Sequence, residues 1–367
     1  MQKKVKKLNE ADAVFYAGTG SISKELKVFY NPVMKLNRDI SILLLNSIDK
    51  SNMQIADILA GSGIRTIRFA QELKKSKIRS IDANDISKTA ASLIKKNVRL
   101  NNVGKITVHN KDANQFLLES NGFDYIDVDP FGSPNPFINS AVVRLARDGI
   151  LAVTATDTSA LAGSHENACK RKYWAKPLKN ELMHEIGIRI LIRKVQLIGA
   201  QFEKALIPVF SHASGHYYRV YFSCKKQKTK VDKLQKEHLF LLYCSRCLSI
   251  KKSHHNLDTC CKKKMIWAGP LWTGKLWDAK LVGKMFKNAK IANTELFNLL
   301  SIINKEVKIN TLGFVDLHRL AKIRKKPVPK YDLLLKKIKK KGFKAAVTHF
   351  DITAIRTNIP IQKISLF

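Results

Sequence analysis

Carboxylates are scarce in this chain. Its 367 residues include 29 Asp and Glu against 66 Lys and Arg, a formal net charge of +37. So large an excess of one sign predicts a polyanionic partner, most simply a nucleic acid. Long apolar runs are also lacking. The longest, Ile42 to Leu45 with its flanks, falls far short of the roughly 20 residues a membrane helix needs, so no membrane partner is expected. The opening MQKKVKKLNE is basic but has no apolar core, which argues against a secretory signal and for a soluble, cytoplasmic monomer. Cysteine is sparse, with six residues clustered toward one region. That suits a metal site in a reducing compartment better than a disulfide framework. With 45% hydrophobic residues the chain is nonetheless globular, and long enough for two domains with real cores.

The most informative stretch is Tyr125–Phe137, YIDVDPFGSPNPF. Apolar Ile126 and Val128 alternate with Asp127 and Asp129, as at the end of a strand. Pro130 and Pro134 forbid further regular pairing, and Gly132 permits a sharp bend. Asp129 and Phe131 are therefore expected at the carboxyl edge of a sheet, where open α/β folds hold ligands. An aromatic ring and an acid on a stiff loop suit a flat base with an exocyclic amine. The ring stacks and the carboxylate accepts from N–H. A tight turn with a solvated acid accounts for the tetrapeptide equally well.

Residues 1–225 read as a doubly wound α/β domain with an N-terminal extension. Residues 53–60, MQIADILA, form a buried strand that runs into Gly61 and Gly63 and then a helix over Thr66–Lys75. Asp57, Gly61 and Gly63 spell D-x-x-x-G-x-G, without the third glycine of the dinucleotide fingerprint. This disfavours a dehydrogenase and favours S-adenosylmethionine, which has no pyrophosphate to cradle. The strand IRSID leads to Asp85, 22 residues beyond Gly63 (85 − 63 = 22), the usual offset for an acid on ribose hydroxyls. A third strand, Lys105–Asn110, ends near Asp112 and Ala113, where an acid can accept from an adenine amine. The strand carrying Asp129 is fourth and Gly149–Asp157 the fifth. A helix over Leu178–Ile198 precedes strands near Leu206–Phe210 and Tyr217–Cys224. Any one acid is as readily an N-cap or turn residue, but three in register after successive strands argue for a cofactor edge.

These stretches resemble the archaeal and eukaryotic tRNA (guanine-26)-N2-dimethyltransferase family. The resemblance covers nearly the whole chain. It includes VFYNPVMKLNRDISILLL at 28–45, GSGIRTIRFA at 61–70, NDIS at 84–87 and IDVDPFGSPNPFINSA at 126–141. It continues through GILAVTATDTSALAG at 149–163, ACKRKYWAKPLKNELMHEIGIRIL at 168–191, HYYRVY at 216–221, AGPLW at 268–272 and THF at 348–350. It implies a Rossmann-like class I methyltransferase sheet, S-adenosylmethionine as cofactor, and methylation of N2 of guanine 26 in tRNA. By match of motif, Arg38, Arg65, Asp85, Asp112 and Ala113 would line the cofactor site, and Asp129 and Phe131 would hold the guanine.

The chemistry fits those residue types. Guanine N2 is a poor nucleophile because its lone pair is delocalised into the ring. A carboxylate accepting its N–H pulls density onto nitrogen and can take the proton. A sulfonium methyl needs only in-line proximity to leave, so positioning carries much of the rate. Arg38 and Arg65 are reasonable partners for the methionine carboxylate, which guanidinium grips bidentately.

Residues 226–367 read as a smaller, basic α+β domain that binds tRNA. Cys244 and Cys247 form a C-x-x-C ahead of Cys260 and Cys261, a spacing that suits tetrahedral Zn²⁺. The resembling family commonly has a second C-x-x-C. Cys261 stands where its last cysteine would be, and Asp258 where the other would. The remaining ligand is Cys260, His254, His255 or Asp258, with Cys260 favoured, and a metal-free relic is the alternative. The run KKQKTKVDKLQK at 225–236 suits a boundary or an RNA-facing ribbon. Helical periodicity follows near Asp278–Lys290, Thr294–Glu306, Asp316–Ile323 and Tyr331–Lys341, with Gly342 as the stop. FKAAVTHF and ITAIRTN suit a short hairpin, giving a winged-helix-like unit whose lysines 336–341 face phosphates. Competing readings are a DNA amino-methyltransferase and a non-catalytic tRNA-binding protein.

Overall fold

The computed structural model of the protein describes residues 5–18, 28 and 30–364. Met1 to Lys4, read above for a signal, and Phe29 in the first family stretch lie outside the described residues. The chain forms two compact units, each assembled from several stretches. One takes residues 1–156, 201–206 and 221–226; the other takes 157–200, 207–220 and 227–367. The boundary expected after residue 225 lies next to the last of these crossings.

In the first unit a hairpin, β1 (Val5–Glu10) and β2 (Ala13–Gly18), precedes α1 (Lys35–Ser47). Strands and helices then alternate: β3 (Met53–Asp57), α2 (Ile64–Glu72), β4 (Ile78–Asn84), α3 (Lys88–Leu100) and β5 (Ile106–His109), then α4 (Ala113–Glu119), β6 (Phe123–Val128), α5 (Asn135–Arg144) and β7 (Leu145–Ala155). With β8 (Lys204–Ser214) and β9 (Tyr217–Lys226) they form a seven-stranded sheet of order β5-β4-β3-β6-β7-β9-β8. β3 pairs in parallel with both β4 and β6. The strands read as near-continuous apolar runs because helices bury both faces of a parallel sheet; Ile55, Ile81, Tyr125, Ile126 and Leu151 are all fully buried. The chain winds from β3 outward to β5, returns to β6 beside β3, and winds the other way. That reversal leaves a crevice at the carboxyl ends of β3 and β6, the switch point of such sheets. The register sets Asp57 directly beside Asp127.

In the second unit come α6 (Thr158–Leu161), α7 (Glu166–Tyr173), α8 (Met183–Gln201) and α9 (Lys228–Gln235). The basic run at 225–236 thus holds a helix rather than a ribbon. β10 (His238–Tyr243), β11 (Ile250–Ser253) and β14 (Ile266–Trp272) form one sheet around the small hairpin β12 (Thr259–Cys260) and β13 (Lys263–Lys264). The four helices expected beyond it are α10 (Ala279–Asn288), α11 (Thr294–Glu306), α12 (Leu317–Arg324) and α13 (Tyr331–Lys340). Asp278 caps α10 through the Leu281 amide (2.9 Å) and Asp316 caps α12 through that of Arg319 (3.1 Å). The expected hairpin is β16 (Ala345–Val347) paired with β17 (Ala354–Thr357), and β15 (Val315–Asp316) adds a third strand. A buried ionic cluster ties α8, α11 and β17 together. Arg356 donates to Glu185 Oε2 (2.6 Å) and Glu306 Oε1 (2.8 Å), Arg189 donates to Glu185 Oε1 (2.8 Å), and His349 Nδ1 lies 2.7 Å from Glu306 Oε2.

Candidate active site and metal centre

The first unit gathers the expected acids at one sheet edge. Asp57 is the last residue of β3, Asp85 follows β4, Asp112 follows β5 and Asp129 follows β6. The turn after β3 closes at Gly63, whose φ of 75° caps α2 in the left-handed region; a Cβ there would also meet Ile94 at 3.0 Å. Only glycine enters that corner without strain. The neighbouring Gly61 amide donates to Asp85 Oδ2 and the Ser87 amide to Oδ1, both at 2.9 Å. Asp85 thereby fastens the glycine turn to the end of β4, and each of its oxygens keeps a lone pair beyond the amide bond it accepts. Burial raises its pKa, while those two amides oppose the rise. Asp112 caps α4, accepting from the amides of Asn114 (2.9 Å) and Gln115 (3.1 Å) through Oδ1 alone. It is exposed, and Ala113 behind it is buried. The acid is the N-cap of α4, at the carboxyl end of β5.

Asp129 and Phe131 stand on the expected stiff loop. Gly132 takes φ 81°, its amide donates to Thr156 Oγ1 (2.6 Å), and the Thr156 amide returns a bond to Gly132 O (3.0 Å). These two bonds pin the loop to the end of β7. Pro130 is buried, whereas Phe131 is 41% exposed. An open ring beside a carboxylate at a switch point is an arrangement that can hold an extracted base.

Beneath Asp129 lies Arg65, only 5% exposed, on the first turn of α2. Its Nη2 donates to Asp129 Oδ2. Its Nη1 donates to Asn37 Oδ1 (3.0 Å) and Ser41 Oγ (3.2 Å) and stands 3.3 Å from Asp127 Oδ2. Asp127 also accepts from Tyr125 (2.5 Å), and Asp57 from Thr66 Oγ1 (2.8 Å). Burial raises Asp57 to about 7; Arg65 opposes this and neighbouring Asp127 adds to it.

Arg38, matched to the cofactor site by motif, has partners of its own. It grips Glu10 with Nε (2.6 Å) and Nη2, and Nη2 also donates to Asn31 O (3.1 Å). Arg68 joins Glu10 (2.8 Å) to Asp39 (2.6 Å). Burial alone would raise the Glu10 carboxyl, but Arg38 and Arg68 hold it below its usual value. Through Nε and Nη2 Arg38 fastens the N-terminal hairpin to α1. Three further residues went unnoticed in the sequence. Asn84 donates to Ile58 O (3.2 Å) and Lys111 O (3.0 Å), and accepts from the Lys111 amide (3.1 Å), so it laces together the loops after β3 and β5. Asn37 and Thr156 support Arg65 and the Phe131 loop. A polar residue ending a buried strand was the available signal for Asn84; Asn37 and Thr156 offered none.

In the second unit four sulfurs converge. Those of Cys244, Cys247, Cys260 and Cys261 all lie within 4.8 Å of one another. Cys247 and Cys260 are 3.6 Å apart, and Cys260 and Cys261 are 3.8 Å apart. Zn–S bonds of about 2.3 Å place tetrahedral ligands about 3.8 Å from each other, so the donor set suits that ion. Adjacent cysteines both reach the cluster in a turn between β12 and β13 where Cys261 and Lys262 take φ 51° and 58°. Asp258 is instead paired with Lys251 (3.0 Å).

Comparison with known proteins adds independent findings. A family model described as N2,N2-dimethylguanosine tRNA methyltransferase matches residues 3–366. A tRNA (guanine(26)-N(2))-dimethyltransferase of Methanobrevibacter smithii is 41% identical, over 94% of this chain and 91% of its own. A tRNA (guanine(26)-N(2)/guanine(27)-N(2))-dimethyltransferase of Aquifex aeolicus is 38% identical, over 94% and 90%. Among solved structures, Trm1 from Pyrococcus horikoshii in complex with S-adenosyl-L-methionine superposes with a TM-score of 0.86 at 33% identity, covering 97% of both chains.

Proposed function

The chain belongs to the N2,N2-dimethylguanosine tRNA methyltransferase family, and from that premise we propose that it methylates the exocyclic N2 of guanine 26 in tRNA. The products are N2-methyl- and N2,N2-dimethylguanosine, and the methyl donor is S-adenosylmethionine. The observation that carries the reading is one sheet edge that holds Asp129 and Phe131 together with Asp57, Asp85 and Asp112, within a chain matched almost end to end. The same match separates the reading from a DNA amino-methyltransferase and from a non-catalytic tRNA-binding protein.

The residues present fit the cofactor. Gly61 and Gly63 leave room at the turn, Asp57 supports it from beneath, Asp85 takes the ribose hydroxyls, and Asp112 with Ala113 takes the adenine. When bound, the cofactor supplies an electrophilic methyl on a sulfonium sulfur. Phe131 would stack on the guanine and Asp129 would accept its N2–H, drawing electron density onto nitrogen as the N–C bond forms and the methyl's bond to sulfur breaks, leaving a neutral thioether. The proton passes to the Asp129 carboxylate. Incubating the protein with labelled S-adenosylmethionine and unmodified tRNA, then analysing nucleosides by mass spectrometry, tests this. Label in N2-methylated guanosine at position 26 is expected; label on another base or none overturns it.

The cysteine cluster extends the proposal: Cys244, Cys247, Cys260 and Cys261 hold one structural Zn²⁺. Two left-handed residues in one turn cost about 1–2 kcal/mol each, a strain that metal ligation can offset. Elemental analysis of chelator-free protein should find one zinc per chain, and Cys260→Ser should lower it. No helix among the described residues is long and apolar enough to cross a membrane, and the reaction is assigned to the cytoplasm, with a monomer as the working form.

A further inference from the structure

The stretch at 168–191, ACKRKYWAKPLKNELMHEIGIRIL, holds none of the residues assigned to the sheet edge. Within it Trp174 ends α7 in the left-handed region, with φ 56° and ψ 37°. A bulky residue is strained in that conformation, and such strain gathers at functional positions. Two bonds hold the backbone there. The Trp174 amide donates to Lys170 O (3.1 Å), and the Trp174 carbonyl accepts from Arg193 Nη1 (3.2 Å). The indole is left at the surface, where Trp174 is 48% exposed. The Lys194 ammonium, from α8, covers one face at 2.9 Å from the ring centre. The rest of the ring is open to solvent and supported from behind.

The cations behind the ring lack counter-charge. Lys194 is buried, and among the described residues neither it nor Arg193 is paired with a carboxylate. Burial lowers both; it brings Lys194 down to about 8, and neighbouring Arg193 adds to that fall. Nearby Lys170 and Lys172 are different, paired with Glu166 (2.7 Å) and Asp157 (3.3 Å). Two adjacent like charges without an acid are unfavourable, and a bound anion relieves them. A flat ring and a negative charge offered together describe a nucleotide. An acidic peptide would bring the charge without the ring.

We propose that Trp174, backed by Lys194 and Arg193, is a docking platform for an unpaired nucleotide of the substrate RNA other than the target guanine, with the base stacked on the indole and a flanking phosphate beside the two cations. The inference rests on the tRNA reading above. Every base has a π-face, so the platform holds the RNA without reading its sequence.

The test uses the full chain and unmodified tRNA. Trp174→Gly suits the left-handed backbone and removes the ring, whereas Trp174→Phe keeps a ring. Affinity for tRNA should fall about tenfold or more in Trp174→Gly and be largely restored in Trp174→Phe. Lys194→Met should lower the log–log salt slope of binding by about 0.7, the value for one phosphate of a single strand. Affinity for S-adenosylmethionine, read by calorimetry, should stay within about twofold in all three. Ultraviolet irradiation of the wild-type complex should cross-link the Trp174 peptide to a nucleotide other than guanine 26. Unchanged tRNA affinity in Trp174→Gly would overturn the proposal. So would an equal loss of cofactor affinity, or a cross-link to guanine 26, which would assign Trp174 to the target base. If Trp174→Gly fails to fold, Lys194→Met and the wild-type cross-link carry the test. Methylation of guanine 26 with no dependence of tRNA binding on Trp174 overturns the platform alone. Dependence on Trp174 without any methylation counts against the catalytic reading alone.

Discussion

Each compact unit buries an arginine between two carboxylates, and the two arrangements are balanced differently. In the second unit Arg356 bridges Glu185 and Glu306 while Arg189 also reaches Glu185, so two guanidiniums meet two carboxylates. Further donors fill the remaining lone pairs, among them the Gly313 amide on Glu185 and Thr348 on Glu306. Burial alone would raise both carboxyls. The arginines hold Glu185 below its usual value, and His349 with Arg356 brings Glu306 down to about 2. In the first unit one guanidinium, Arg65, faces Asp57, Asp127 and Asp129, and burial leaves Asp57 at about 7. A balanced cluster deep in a unit is a fastening. An oversubscribed one at an open sheet edge keeps a carboxylate available for chemistry, as perturbed groups in a cleft often do.

The comparison can be broken most directly at Glu306. Glu306→Gln leaves Arg356 with one carboxylate fewer and should cost about 3–5 kcal/mol, read by urea unfolding at neutral pH. The Glu306 carboxyl is depressed from 4.5 to about 2 in the folded state. Its contribution is therefore full above pH 4.5 and lost as pH falls toward 2, so variant and parent should converge in acid. A loss under about 1 kcal/mol at pH 7 would rank the cluster with ordinary surface pairs.

A smaller effect is expected at Asp129. Asp129→Asn keeps an acceptor oxygen but loses charge and basicity. Single-turnover methylation should slow by roughly 10²-fold, about 2.7 kcal/mol in barrier, with cofactor binding little changed. Near-normal turnover would mean that positioning alone suffices. Asp57 sharpens the contrast further. Its folded value is raised from 3.8 to about 7, so the native state holds an extra proton across that window. Stability from this group is present below pH 3.8 and declines as pH rises to about 7. Asp57→Asn should then melt higher than the parent at pH 8 and show little gain at pH 4. Parallel pH profiles for the two proteins would refute the oversubscription. The smallest change expected is in RNA binding. Substituting the exposed lysines of α13 and its end, Lys336, Lys337, Lys339, Lys340 and Lys341, should reduce the log–log salt slope of tRNA binding. The expected drop is roughly 0.7–0.9 for each phosphate that a removed lysine had neutralised. An unaltered slope places the RNA surface elsewhere.

Much of this molecule was legible along the chain because parallel strands and their loops follow local rules. Apolar runs stopped by Gly61, Pro130 and Asp85 located the strand ends, and the acids there fell at the sheet edge as expected. Residues whose partners lie far off in sequence were not legible. Nothing near Arg38 in sequence announces its pairing with Glu10, 28 residues away. The basic run at 225–236 carries few apolar positions, yet Val231 is buried and a helix forms. The choice of remaining ligand among Cys260, His254, His255 and Asp258 stayed open until the turn at Cys261 and Lys262 brought the Cys260 sulfur to the other three.

The sequence by itself determined the class of sheet, the strand order of the edge acids, the stiff loop that carries Asp129 and Phe131, and the family. Each of these is carried by contiguous residues whose spacing reflects strand, turn and helix geometry. Only the tertiary structure decided what each charge does. It gave Arg38 to Glu10, Arg65 to Asp127 and Asp129, Asp258 to Lys251, and Arg356 to Glu185 across 171 residues of chain. The reason is physical. A side chain's type limits what it can bind, but the energy of an ion pair depends on distance, burial and the number of competing partners, and those are set only when the chain has folded.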